Sequence, residues 1–238
     1  MTPTELLLVT LIALVGTVLQ GSIGFGLGVF AVPFFLLIEP ALVPGPILAT
    51  SVLLTIFMTH HERHAIQLAD LKWAIAGRVL GIGAAMAVLA RLPAERLSSL
   101  MGGLIILGVA LTASGLHLRP NPASLISAGT LSGFMGTAAS IGGPAIALLY
   151  QRESGARVRS TLAAYFLIGT TLSLIGLHFV DRFGMREVVL AGVLIPGSAV
   201  GYVLARRLAP ILDRGYTRIA VLTVSGVMGA VVLLRQLL

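Results

Sequence analysis

Gln20-Gly21-Ser22-Ile23-Gly24-Phe25-Gly26-Leu27-Gly28 interrupts a long apolar run, with Pro33 following. About half a chain later, Ser132-Gly133-Phe134-Met135-Gly136-Thr137-Ala138-Ala139-Ser140-Ile141-Gly142-Gly143-Pro144 does the same. Each stretch sits in the middle of a segment that otherwise reads as membrane-embedded. Glycine-interrupted apolar segments at corresponding positions of two halves point to a midplane binding site in a membrane carrier.

The composition supports that setting. Of the 238 residues, 57% are hydrophobic and 11% charged, and the mean hydropathy is +1.01. Soluble domains carry about 25% charged residues. This chain cannot build a soluble surface and reads as an all-α integral membrane protein. The net charge of +7 comes from arginines in short loops, as topology requires, so it does not indicate a nucleic-acid partner. There is no cysteine, which excludes thiolate metal sites and disulfides. No Lys or Arg precedes the first apolar run, whereas a secretory signal peptide opens with a basic region. Residues from 6 onward therefore read as the first membrane segment.

Charged loops divide the chain into apolar segments at about 5–38, 44–59, 72–90, 98–116, 123–150, 160–180, 188–205 and 217–234. A bilayer core takes about 20 helical residues. Six segments fit one crossing each. The first and fifth would extend roughly 50 and 42 Å as straight helices, and these two carry the glycine stretches. Each is either one tilted crossing with a break or a re-entrant hairpin of two half-helices.

Positive charge prefers the cytoplasmic side. If both long segments return to their starting side, Arg91, Arg96, Arg182, Arg186 and Arg235 fall on one face. Arg63, Lys72, Arg119, Arg152, Arg157, Arg159, Arg206, Arg207, Arg214 and Arg218 fall on the other. That sorting is stronger than simple crossings give, so re-entrant elements are expected, with both termini outside the cytoplasm. Each half, 1–119 and 120–238, is then a membrane repeat of four elements opening on a broken helix. The odd number of crossings per half makes the repeats inverted. Internal matches agree: Val88-Leu89-Ala90-Arg91 recurs as Val203-Leu204-Ala205-Arg206, Gly77 aligns with Gly192, Gly21 and Gly24 with Gly133 and Gly136, and Pro33 with Pro144.

A break at membrane depth frees backbone N–H and C=O groups that lipid cannot satisfy, so it must be buried or line a polar cavity. Glycine allows the backbone angles and a close approach. Pro33 and Pro144 suit the first turn of a new half-helix. The N-terminus of such a half-helix presents free N–H groups and partial positive charge, which attract an anion. The expected contacts come from Gln20, Gly21, Ser22, Gly24, Phe25 and Gly26 in the first stretch. Gly136, Thr137, Ser140, Gly142 and Gly143 supply the second, with the hydroxyls of Ser22, Thr137 and Ser140 as donors.

Two arginines join this set. Arg78, inside the third segment, is either an interfacial side chain that snorkels to water or an anion-attracting charge. Arg159 opens the sixth segment and faces either an anion or a helix end. All nine acids lie at segment ends or in loops, so no carboxylate is available for a proton relay at depth. His60, His61 and His64 cluster in one loop with Glu62; we read that loop as solvated, and expect no metal and no cofactor.

Gly21-x-x-Gly24-Phe25-Gly26-x-Gly28 with Pro33 resembles the opening signature of the sulfite exporter TauE/SafE family. Gly133-x-x-Gly136 leading to Gly142-Gly143-Pro144 resembles its mid-chain counterpart. Ala49-Thr50-Ser51, Arg159-Ser160-Thr161 and Ile195-Pro196-Gly197-x-x-x-Gly201 are similar to further family motifs. The run Thr137-Ala138-Ala139-Ser140 departs from the more glycine-rich form common there. The resemblance implies a multi-pass protein of the bacterial cytoplasmic membrane that exports sulfite or an organosulfonate. The expected partners are a small anion and the lipid bilayer, and a homo-oligomer is compatible with the sequence. Binding at the midplane and alternating access would make it a carrier, and the same half-helix site would also serve an anion channel. No nucleophile–base pair or buried metal set suggests an enzyme.

Overall fold

A computed structural model describes residues 1–66, 68–116, 118–150, 155–212, 227, 231 and 234. Among these residues the chain is helical, with no strand. The helices are α1 (Pro3–Ile23), α2 (Leu27–Ile38), α3 (Gly45–Glu62), α4 (Leu68–Leu89), α5 (Ala94–Ala113), α6 (Pro122–Ala139), α7 (Gly143–Ala147), α8 (Gly155–Phe179) and α9 (Met185–Leu212). Five of them contain stretches long and apolar enough to cross a membrane: Pro3–Ile23, Asp70–Leu89, Arg96–Ala113, Gly155–Phe179 and Met185–Ala209. That is fewer than the eight crossings expected. The two long segments each divide into a pair of helices, α3 and α6 are long enough at 18 residues apiece but not apolar enough, and the expected span at 217–234 lies outside the described residues apart from 227, 231 and 234.

The two broken segments are built alike at their ends. Thr2 caps α1 and exchanges hydrogen bonds with Glu5, with Pro3 at the first helical position. Asn121 caps α6 and exchanges hydrogen bonds with Ser124, with Pro122 in the same place. Both caps satisfy N–H groups that a helix start leaves open. Each helix then stops on a left-handed residue: Gly24 at φ 97° after α1 and Ser140 at φ 60° after α6. Their N–H groups close back on the Gln20 and Gly136 carbonyls at 2.8 and 2.9 Å. A left-handed residue is a common helix stop.

Pairs of helices that run parallel organise the bundle. α9 lies along α1, where Gly197 and Gly201 rest on the carbonyls of Thr10 and Leu14. In the same manner α4 lies along α6, where Gly77 and Gly81 rest on the carbonyls of Ile126 and Thr130. Any side chain at these four glycines would collide with backbone. Small residues let membrane helices approach this closely, which is where dispersion contacts add up. Gly192, expected to match Gly77, has nothing within 4 Å of where a side chain would begin. The close-packing role falls to Gly197 because it, and not Gly192, faces α1.

α2 turns back along α1, so that Leu27, its first residue, lies against Gly16. α3 runs antiparallel to α8, and Leu48, Leu89 and Leu177 pack together where α3 starts and α4 and α8 end. The main core gathers Val9 and Ala13 of α1, Val32 and Phe35 of α2, Met101 and Ile105 of α5, and Met135 of α6. The two breaks therefore sit inside the bundle, surrounded by longer helices.

Gly81→Leu should lower the thermal midpoint of the purified protein in detergent, because overpacking against a fixed backbone costs about 1–3 kcal/mol or more. Gly83→Ala, two residues further along α4 with open space around it, should leave it unchanged or raise it slightly. Thermal unfolding of both variants checks the contrast; equal midpoints would contradict the packing.

Candidate functional site

The connections that follow α1 and α6 interlock. A side chain at Gly28 would strike the Ser140 carbonyl, and one at Gly143 would meet the Phe25 ring at 2.7 Å. Gly26 stands at φ 140°, a conformation open only to glycine at low cost. That angle lets the chain drop from the end of α1 to the middle of the bundle, where α2 begins. No side chain caps the start of α2. The first main-chain bond back across that start runs from the Phe30 N–H to the Gly26 carbonyl at 2.9 Å, so the N–H groups of Leu27, Gly28 and Val29 lack helical partners.

Between the breaks lies a small cavity of about 30 Å³, room for one or two water molecules. Gln20, Phe25, Gly26, Leu27, Gly28 and Val29 line it from α1, α2 and their connection. Gly136, Ser140, Ile141, Gly142 and Gly143 line it from the second break. The remaining wall is Ile47, Leu48 and Ser51 of α3, Arg78 of α4, and Phe166 and Thr170 of α8. Gln20 Nε2 donates to Ser51 Oγ at 3.4 Å. The Ser140 hydroxyl donates to the Pro44 carbonyl at 3.1 Å, which holds that left-handed residue in place.

Arg78 is the charge of this cavity. It is 1% exposed and the largest fully buried side chain. Its guanidinium lies 4.8 Å from the ring centre of Tyr165 and 5.4 Å from that of Phe166. Nη1 donates to Ser132 Oγ at 3.5 Å and Nη2 to Thr170 Oγ1 at 3.4 Å, both long. Nε is buried with no partner. No carboxylate belongs to the cavity lining. A buried ion without a counter-ion is costly, and cation–π contact recovers only part of that cost.

The surroundings are shaped around this side chain. Gly133 of α6 leaves room for the Arg78 backbone, and a side chain at Gly169 of α8 would overlap Arg78 Nε and Cδ. The snorkelling alternative for Arg78 is thus corrected: the side chain turns into the bundle, because two glycines clear its path and two aromatic rings receive it.

The expected site residues separate into two groups. Gln20, Phe25, Gly26, Arg78, Gly136, Ser140, Gly142 and Gly143 come together around the cavity. Gly21, Ser22, Gly24, Thr137 and Arg159 do not line it. The Thr137 hydroxyl is engaged by Ser173 Oγ at 2.9 Å. Ser22 is buried within the bundle with its hydroxyl unpartnered, and Gly24 packs against the backbone of Arg159. Pro144 does open α7. Pro33 does not open α2: it lies six residues past Leu27, inside the helix, because the glycines at 24 and 26 already make the turn. With five residues, α7 is too short to sum many peptide dipoles, so the expected symmetry of two half-helix ends reduces to the α2 end plus Arg78.

Leu27, Gly28, Val29, Ile47, Leu48, Ser51, Ile141, Phe166 and Thr170 were not among the expected contacts. Ser51 and Gly28 were within quoted motifs, but nothing in a lone sequence brings α3 or α8 to the breaks. Gly169 carried a weak signal, an isolated glycine in an apolar span next to Thr170.

A second, wider cavity of about 510 Å³ is lined by Gly21, Met58, His61, Arg159, Tyr202, Val203, Arg206, Arg207 and Ala209. It lies where α3 and α9 end and α8 begins. Arg206 and His61 are 3.2 Å apart. Gln20 faces the inner cavity and Gly21 the outer, so the last turn of α1 stands between them.

A helical bundle with long apolar helices and a charged cavity between two buried breaks is a multi-pass membrane protein of the transporter class. The chain belongs to the sulfite exporter TauE/SafE family, whose model matches residues 8–232. That is a family of membrane transporters, not of enzymes. No curated protein and no solved structure matches the chain significantly.

Arg78→Met keeps the length of the side chain and removes its charge. It should raise the thermal midpoint of the anion-free protein, by an amount corresponding to about 1–4 kcal/mol. Calorimetry or a thermal-shift assay of the purified variant reads this; a lower midpoint would mean that the charge is already compensated in the empty protein.

Proposed function

We propose that the protein is a secondary exporter of sulfite or a related sulfur oxyanion in the bacterial cytoplasmic membrane, and that it binds this substrate in the cavity between the two breaks. The observation that carries the reading is Arg78: a buried guanidinium with an unpartnered Nε and no acid in the cavity that it lines. Leu27, Gly28 and Val29 at the start of α2, whose N–H groups have no helical partner, line the same cavity. Charge-assisted bonds to an oxyanion would use both.

The re-entrant reading of α1–α2 and α6–α7 is part of this proposal. On it, Arg91, Arg96, Arg182 and Arg186 lie at one end of the bundle. Arg63, Lys72, Arg119, Arg157, Arg159, Arg206 and Arg207 lie at the other. The second end would be cytoplasmic by the positive-inside rule. The wider cavity then opens toward the cytoplasm, where its arginines would raise the local concentration of anions. The matched packing of α1 with α9 and of α6 with α4 supports inverted repeats.

The inner cavity is far smaller than the 300 Å³ or more typical of a ligand pocket, and it is smaller still than a continuous aqueous path. That favours a carrier, which closes around its substrate, over a channel. Glycine contacts tie α1 to α9 and α4 to α6 across the two sequence halves. The units that move in alternating access would therefore each mix helices from both halves, meeting along α3 and α8, rather than be residues 1–119 rocking against 120–238.

In proteoliposomes, sulfite flux should saturate, and Arg78→Met should lower it about tenfold or more. Saturable flux that survives the loss of Arg78 would move the site elsewhere. The chain has no cysteine of its own, so Leu48→Cys with Leu177→Cys places a lone pair across the α3–α8 seam. Oxidation of that pair should stop flux and reduction should restore it; unchanged flux in the oxidised protein would refute motion along this seam.

A further inference from the structure

Resting on the reading of the inner cavity as an oxyanion site, we infer that the site selects the monoanionic form of its substrate and rejects dianions such as sulfate. The cavity lining holds one charged side chain, the Arg78 guanidinium. The groups that face Arg78 are Ser132, Gly133 and Gly136 of α6 and Tyr165, Phe166, Gly169 and Thr170 of α8. From the breaks and α3 the cavity adds Gln20, Ser51, Ser140 and main-chain groups. Among these there is no carboxylate and no imidazole to take up or release a proton near neutral pH.

Charge arithmetic then decides. Moving an ion out of water costs an energy that grows as the square of its charge, whereas its attraction to one fixed cation grows only in proportion. Going from a monoanion to a dianion quadruples the first and doubles the second. The partial charge at the α2 start adds to the attraction but also only in proportion. A site with many fixed donors could still hold a dianion. Here much of the wall is Leu27, Val29, Ile47, Leu48, Ile141 and Phe166, which return nothing for lost hydration. A monoanion is neutralised one to one by Arg78, and a dianion leaves uncompensated charge inside the membrane.

The chemical consequence is that the substrate carries the pH dependence. Sulfite exists as hydrogen sulfite on the acid side of its second proton loss and as the dianion above it. A sulfonate is a monoanion throughout, and sulfate a dianion throughout. Binding of total sulfite should weaken as pH rises, with no protein group responsible.

Isothermal titration of the purified full-length protein with methanesulfonate, sulfate and sulfite, each across a pH series, tests this. Methanesulfonate should bind with the same affinity at every pH, and sulfate at least about tenfold more weakly. Affinity for total sulfite should fall about tenfold per pH unit above its second proton loss, following the monoanion fraction. Sulfate binding as tightly as methanesulfonate, or sulfite affinity that stays flat with pH, would overturn the inference while leaving the oxyanion site standing. Binding of none of the three anions would overturn the site itself, and this inference with it.

Discussion

A helix interrupted at membrane depth leaves backbone polar groups that lipid cannot satisfy. Much else in this protein answers that constraint. The two breaks are held at the centre of the bundle and pressed against one another, Gly28 on Ser140 and Phe25 on Gly143. Long helices surround them, drawn close by glycines that rest on neighbouring carbonyls. Left-handed caps at Gly24 and Ser140 end the first helix of each pair cleanly. The N–H groups at the start of α2 are left without helical partners, and the residues that carry them, Leu27, Gly28 and Val29, line the inner cavity.

Arg78 gives that cavity its character. Its position is unfavourable for an empty protein, since the charge is buried and only partly bonded. Such strain is maintained when the surrounding structure over-determines it. Here Gly133 and Gly169 make the space, and Tyr165 and Phe166 provide the faces. A bound anion would relieve the unfavourable charge, so the same feature that weakens the empty protein would strengthen the loaded one. The wider cavity, lined by Arg159, Arg206, Arg207 and Gly21, lies on the other side of the last turn of α1, whose Gln20 lines the inner one.

Much of this was legible from residues alone. The apolar runs placed the long helices, with ends displaced by up to seven residues as at the close of α9, and the excess length of two segments marked them as divided. The glycines named the breaks, and eight of the expected residues line one cavity. The misreadings share a cause. Proline favours a helix start, yet Pro33 lies inside α2 because Gly24 and Gly26 already turn the chain. Gly192 was aligned with Gly77 by register in the sequence, while the residue that packs in the matching way is Gly197. The Thr137 hydroxyl, an expected donor, is bonded to Ser173 of α8. In each case the residue type was read correctly and its partner was not knowable.

The sequence by itself determined that the chain lives in a membrane, that two of its segments are interrupted, and that its acids fall at segment ends and in loops. These follow from hydropathy, length and glycine content, which are properties of single segments. Tertiary structure alone decided that Arg78 turns inward and that Ser51, Phe166 and Thr170 join the breaks around one cavity. It also decided that α4 pairs with α6 and α9 with α1, across the halves of the chain. These depend on which helix faces which, and helix neighbours are chosen by close packing over many residues rather than by any local pattern.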